Sequence, residues 1–261
     1  MVSSSSRSLG ASPFTGTGEK GYHAVLLMEV ANTATQGQTP SETITFSYDA
    51  IPMTRKLYGK LLSRAGRTNW AAHECGLDFE QIDVDVGVPA DRKPADLIAI
   101  NPAGTIPTFR DGDFVMTESF AIDLYLARKY RPELMGHGLE QEGQVYQWTL
   151  FSATDLEKSI LQMINHSGID DRHPLDAERL KAARIDFEKL LAKLNGALAH
   201  RDYLVGNGFT LADLHVACLI TFPVASSVDR SGYPSVERWL RRCMARPAFA
   251  KSLPPEMLPR T

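Results

Sequence analysis

The sequence predicts a two-part fold, an α/β domain over residues 53–132 followed by an all-α domain over residues 139–261. Three observations carry that reading. Between Arg55 and Tyr130 the chain runs strand–helix–strand and then strand–strand–helix. After Pro132 no stretch alternates as a strand would. Between Asp176 and His200 the residues Leu180, Ala183, Phe187, Leu190, Leu191, Leu194 and Leu198 recur at helical spacing and form one apolar stripe.

Each element has a local cause. Lys56 to Tyr58 is a short strand ended by Gly59, and Ser63 to Cys75 reads as a helix closed by Gly76, a residue suited to the left-handed position after a helix. Ile82, Val84 and Val86 alternate with acidic residues as a half-buried strand, which completes a βαβ unit. Pro107 to Arg110 and Phe114 to Met116 are strands joined across Asp111-Gly112-Asp113, a strong hairpin signal. A helix from Glu118 to Tyr130 is stopped by Pro132. Further helices are expected at Glu140–His166, at Leu211–Phe222 behind the cap Thr210-Leu-Ala-Asp213, and at Ser235–Ala245 before Pro247.

The first 52 residues differ from the rest. Ser3 to Ser6, Ser8, Gly10, Ser12, Gly16 and Gly18 form a small-residue tract that cannot bury a core. Within the apolar run Tyr22–Val30, the stretch Ala24–Met28 is too short and too acidic at its end for a signal peptide, and Arg7, the only arginine in the first 54 residues, is a poor basis for a transit peptide. Residues 1–52 are expected to be a disordered extension, with Met53 as a candidate natural start.

Composition narrows the function classes. The 261 residues are 43% hydrophobic and 23% charged, with a formal net charge of -3, so no excess of positive charge points to nucleic acid or an anionic membrane. Cys75, Cys218 and Cys243 are widely spaced, which argues against a disulfide framework or a zinc site and fits a reducing compartment. No apolar run approaches the roughly 20 residues that span a bilayer.

Three places carry chemistry. Ser63 lies where a helix should begin, and a hydroxyl there, with the helix dipole, can lower the pKa of a nearby thiol. It could equally be a cap. Pro107 stands at a strand start, and a cis Ile106-Pro107 bond would turn the Ile106 backbone outward to pair with a peptide; the alternative is an ordinary turn proline. Glu118 and Ser119 offer a carboxylate and a hydroxyl at a helix start, a set suited to a zwitterionic amino-acid head, or to capping alone.

The runs LYGKLLSR, NPAGTIPTFRDGDFVMTESFAIDLYLARKY and GFTLADL resemble the glutathione transferases, from about Met53 to the C-terminal end. The resemblance is to the cytosolic, serine-type enzymes of the theta class and related bacteria. It implies a thioredoxin-like glutathione-binding domain followed by a helical domain for a hydrophobic electrophile. By resemblance Ser63 is the catalytic, thiol-activating residue. Ile106 beside cis-Pro107 holds the cysteinyl backbone of glutathione, Glu118 and Ser119 hold its γ-glutamyl end, and Arg92 and Lys93 serve its glycine carboxylate. Thr105 belongs to the same set but stands where some relatives carry a lysine, so one contact is expected to be absent. Trp148, Phe151, Ser152 and Asp155 are the candidates for the electrophile. The resemblance further implies a cytoplasmic homodimer acting in detoxification, with glutathione as co-substrate and no tightly bound cofactor or metal. Thr210 and Asp213 match a folding element of the family.

Departures from the pattern sharpen the expectation. Tyr58 belongs to the strand and does not match a catalytic tyrosine; no cysteine stands in place of Ser63; and the zeta-class serine-serine-cysteine motif is absent. A dehalogenase or etherase on the same site is the alternative within enzymes. A non-catalytic glutathione-binding module is the alternative outside them.

Overall fold

The computed structural model describes residues 22–33, 41–52 and 55–254. The chain divides at Thr54 into two units. In the first, strands β1 (Tyr22–Thr33) and β2 (Ser41–Pro52) pair antiparallel, from Tyr22 opposite Pro52 to Thr33 opposite Ser41. This differs from the disordered extension expected over 1–52. The alternation of Ile44, Phe46 and Tyr48 with Thr43, Thr45 and Ser47 supplies the strand period that the apolar run alone did not reveal. The remainder of that span, and Met53, lie outside the described residues.

The second unit begins with a four-stranded sheet. Its strands are β3 (Arg55–Tyr58), β4 (Glu80–Ile82), β5 (Thr108–Asp111) and β6 (Phe114–Thr117), in the order β4-β3-β5-β6. β4 runs parallel to β3, while β5 and β6 are antiparallel neighbours. β4 stops short of the expected Val84 and Val86 because β3 ends at Tyr58, and the N–H of the next residue, Gly59, closes the ladder on the Ile82 carbonyl at 2.9 Å. Helices α1 (Ala65–Glu74), α2 (Ala95–Ile100) and α3 (Ser119–Tyr130) cover the sheet. Successive residues of β3 face opposite layers: Leu57 packs with Ala65, Phe109, Ile122 and Leu126, and Tyr58 with Val84 and Leu97. The short helix α2, with a 3₁₀ turn at Ala90–Arg92 before it, was not foreseen.

Beyond a 3₁₀ turn at Pro132–Met135, the described residues form helices α4 (Gly138–Phe151), α5 (Glu157–Asn165), α6 (Ala177–Ala197), α7 (Leu211–Ile220), α8 (Pro223–Ser226), α9 (Pro234–Met244) and α10 (Pro247–Lys251). The expected Glu140–His166 helix is α4 and α5 joined by a π turn at Ser152–Leu156. α7 is buried almost all round, which places its polar residues inside the domain.

Two junctions tie α1 and α3 to the helical domain. Arg246 forks onto Glu74 at 2.6 and 2.7 Å, and Trp70 meets Phe249 edge-on with ring centroids 4.8 Å apart. Asp123 of α3 faces His215 of α7 at 3.3 Å, both fully buried, while His215 Nδ1 meets the Thr149 hydroxyl at 2.9 Å. Burial lowers the His215 pKa against the opposing pull of Asp123. These contacts fix α1 at its middle and C-terminal end; Ser63 lies just ahead of its other end.

Candidate active site

The loop from β3 to α1 depends on two glycines. Gly59 has φ 137°, and a Cβ on it would meet the Ala65 Cβ at 2.7 Å; a Cβ on Gly66 would fall 2.1 Å from the Leu61 carbonyl oxygen. The loop folds tightly over the helix end as a result. The Ser63 hydroxyl donates to the Lys60 carbonyl at 2.6 Å and accepts from the Ala65 N–H at 3.1 Å. It stands just ahead of the first helical residue, with its proton engaged by backbone.

Two more turns converge beside it. The Ile106-Pro107 peptide is cis and leads into β5. Asn101 braces this turn by donating to the Thr105 hydroxyl at 3.1 Å and the Thr108 hydroxyl at 2.9 Å. Glu118 has φ 66°, the positive value unique to it among the described non-glycine residues. Such a conformation costs on the order of 1–3 kcal/mol, and it delivers the exposed Glu118 and the buried Ser119 together at the start of α3.

These elements enclose a cavity of about 430 Å³ lined by Thr105, Ile106, Pro107, Glu118, Ser119 and Phe120 on one side, and by Arg64, Ala153 and Glu157 on the other. An adjoining pocket of about 170 Å³ holds Ser63 and Leu62 against Ile160, Leu161 and Ile164 of α5 and against Cys218, Leu219 and Phe222, with Val86, Arg67 and the same Arg64 and Glu157 completing it. The first cavity is polar and open to backbone pairing, the second largely apolar. A larger groove of about 860 Å³ lies elsewhere, lined by Glu140, Gln144, His200, Arg201, Asp202 and Arg238 among others. It contains no serine or cysteine and none of the three turns, so its size carries no argument.

The sequence-derived residues divide clearly. Ser63, Thr105, Ile106, Pro107, Glu118 and Ser119 are brought to the paired cavities. Lys93 lies beside them, its ammonium donating to the Gly104 carbonyl at 2.7 Å, whereas Arg92 is exposed at the end of the 3₁₀ turn. The four electrophile candidates line neither cavity. Trp148 packs on the helical core and stacks edge-on with the buried Phe151, with centroids 5.3 Å apart. Ser152 is fully buried, and Asp155 faces a separate groove near Lys158 and Asp186. The reason is one of helical phase: Ala153, Glu157, Ile160, Leu161 and Ile164 line the cavities, so the intervening positions turn to core or solvent.

Sequence reasoning missed Arg64, Arg67 and Glu157. Arg67 is 3% exposed; it donates to Glu157 at 2.7 Å and lies 4.0 Å above the Phe120 ring. Arg64 pairs with the other Glu157 oxygen. Burial raises the Glu157 carboxyl, but Arg67 and then Arg64 outweigh it, and the net shift is downward. A signal was present in Leu62-Ser-Arg-Ala-Gly-Arg67, because two arginines in a first helical turn oppose the helix dipole and call for another reason. Tyr58 is buried and donates to Asp96 at 2.8 Å, which keeps it out of the site. Burial pushes the Cys218 thiol up to about 11, so it remains protonated.

Comparison with known proteins matches this arrangement. The family profiles for the glutathione S-transferase N-terminal and C-terminal domains cover residues 53–128 and 158–247. Glutathione S-transferase 1 of Zea mays is 34% identical over 211 residues, spanning 75% of this chain and 94% of the maize protein. The chain belongs to the glutathione S-transferase family. Glutathione S-transferase hmp2 of Hypomyces subiculosus is 29% identical, covering 77% of this transferase and 98% of its own length. Among solved structures, the theta class glutathione S-transferase of Xanthomonas axonopodis pv. citri with glutathione bound aligns with a TM-score of 0.66 at 26% identity, over 77% of this chain and 97% of that one. This glutathione transferase thus has the thioredoxin-like and helical domains of its family. Among its described residues no helix is long and apolar enough to cross a membrane.

Proposed function

We propose that this transferase conjugates glutathione to hydrophobic electrophiles, with Ser63 assisting the thiolate. The observation behind the proposal is the position of Ser63 in the apolar pocket, next in sequence to Arg64, which lines both that pocket and the polar cavity. In this reading the tripeptide lies along the polar cavity. The Ile106 backbone pairs with its cysteinyl unit, Glu118 faces its ammonium, Ser119 faces its γ-glutamyl carboxylate, and Thr105, Lys93 and Arg92 lie toward its glycine end. The Ser63 proton turns from the Lys60 carbonyl to the sulfur, exchanging one hydrogen bond for a charge-assisted one worth about 1 kcal/mol more. The thiol proton leaves to solvent, the thiolate attacks the electrophilic carbon, and the leaving group departs with its bonding pair. The apolar pocket offers Leu62, Ile160, Leu161, Ile164 and Phe222 to that electrophile. The same reading makes glutathione an exchangeable co-substrate and the working protein a cytoplasmic homodimer in detoxification.

Ser63→Ala is expected to keep glutathione affinity within a few-fold while lowering turnover of an aryl halide by at least roughly tenfold. Undiminished turnover in that variant would remove Ser63 from the mechanism.

A further inference from the structure

Arg64 and Glu157 are shared by both cavities. A sulfur delivered by a tripeptide in one cavity to a carbon held in the other must pass between them, beside these two side chains and next to Ser63. We propose that Arg64 is a second catalytic residue, the cation that holds the glutathione sulfur as thiolate, and that Glu157 positions it. The inference rests on the glutathione reading above.

Charge and geometry agree on Arg64. Glu157 takes a guanidinium on each carboxylate oxygen, Arg67 on Oε2 at 2.7 Å and Arg64 on Oε1, so the trio carries one net positive charge. Arg67 is fixed beneath, 3% exposed and stacked on Phe120. Arg64 is the accessible member, its side chain 52% exposed against 12% for Glu157, so unpaired N–H donors remain to face the cavities. The other charged groups around the sulfur path do not take its place. Lys60 is paired with Asp85, Glu118 has the wrong sign, and the Cys218 thiol is neutral. The Ser63 hydroxyl supplies one proton, already engaged by Lys60 O, and no charge. A cation within a few ångströms of a thiolate favours the charged form directly.

The experiment is an ultraviolet titration of the thiolate in the glutathione complex of the full chain, wild type against Arg64→Gln and Arg64→Lys, with the pH profile of kcat/KM alongside. Arg64→Gln is expected to raise the pKa of bound glutathione by about one unit, lower kcat/KM at neutral pH about tenfold, and recover most of the loss as pH rises. Arg64→Lys should restore most of the wild-type titration, which a merely structural arginine would not require. An unchanged thiolate pKa in Arg64→Gln overturns the proposal, as does a rise in KM for glutathione with kcat and pKa intact, which would make Arg64 a carboxylate anchor. Failure of the wild type itself to bind glutathione would instead remove the underlying functional reading.

Discussion

Asp111 in the sheet domain and Asp213 in the helical domain are both buried carboxyls at the meeting of several elements, but their partners differ in kind. Asp111 ends β5 and is surrounded by cations and phenols: Arg55 at 3.1 Å, Lys129 at 2.7 Å, the Tyr125 hydroxyl at 2.8 Å and the Tyr130 hydroxyl at 2.5 Å. Asp213 in α7 has neutral donors only: the Leu204 N–H at 2.8 Å, the Thr210 N–H at 2.9 Å, the Thr210 hydroxyl at 3.1 Å and the Trp239 indole at 2.8 Å. Burial raises both carboxyls. At Asp111 the hydrogen bonds from Lys129, Tyr130 and Tyr125 overcome it and the net shift is downward, whereas at Asp213 burial prevails over its donors and the shift is upward. The sheet domain is therefore held at a partly wetted edge by charge, and the helical domain at its dry centre by backbone geometry.

The sharpest way to break this contrast is Asp213→Ala. It would leave two backbone N–H groups and an indole N–H buried without acceptors, so a loss of roughly 3–5 kcal/mol is expected in denaturant unfolding. A loss below about 1 kcal/mol would show that the site tolerates water and is not the dry centre described. Asp111→Asn should cost less, about 2–3 kcal/mol, because the half-exposed Lys129 regains water while only Arg55, 6% exposed, is left uncompensated.

Acid titration separates the two by sign. The lowered Asp111 contributes stability above its unfolded value near 3.8 and loses it as pH falls further, through the folded pKa. The raised Asp213 does the reverse: its contribution is complete below 3.8 and is lost as pH rises through its folded pKa. Stability below about pH 4 should therefore fall less steeply in Asp111→Asn than in the wild type, and equal slopes would refute the assignment. Tyr125→Phe, which removes one of four Asp111 donors, should cost about 1 kcal/mol and leave turnover unchanged.

The sequence made the frame of the molecule legible because local signals and tertiary demands coincide there. Asp111-Gly112-Asp113 turns the hairpin, Pro132 stops α3, and Thr210 with Asp213 starts α7 where the pattern placed it. Residues bound to backbone turns were legible for the same reason: Pro107 and Glu118 line one cavity and Ser63 the pocket that shares Arg64 and Glu157 with it. What escaped depends on partners far along the chain. Glu157 is an unremarked glutamate until Arg64 and Arg67, 93 and 90 residues away, close on it. The phase of α5 escaped too, because Glu140–His166 reads as one regular helix and no residue type announces where a helix widens.

The π turn at Ser152–Leu156 lets the wall of the electrophile pocket absorb a change in residue count. Such a turn takes about one residue more than an α turn over nearly the same rotation, so α5 keeps the phase of a helix one residue shorter. Removing Ala153 and closing the turn into a regular one would leave Ile160 and Ile164 facing the cleft, whereas removing Lys158 from the regular helix after the turn would rotate both by about 100°. One codon deletion is therefore near-silent at the turn and changes the whole pocket wall a few residues later.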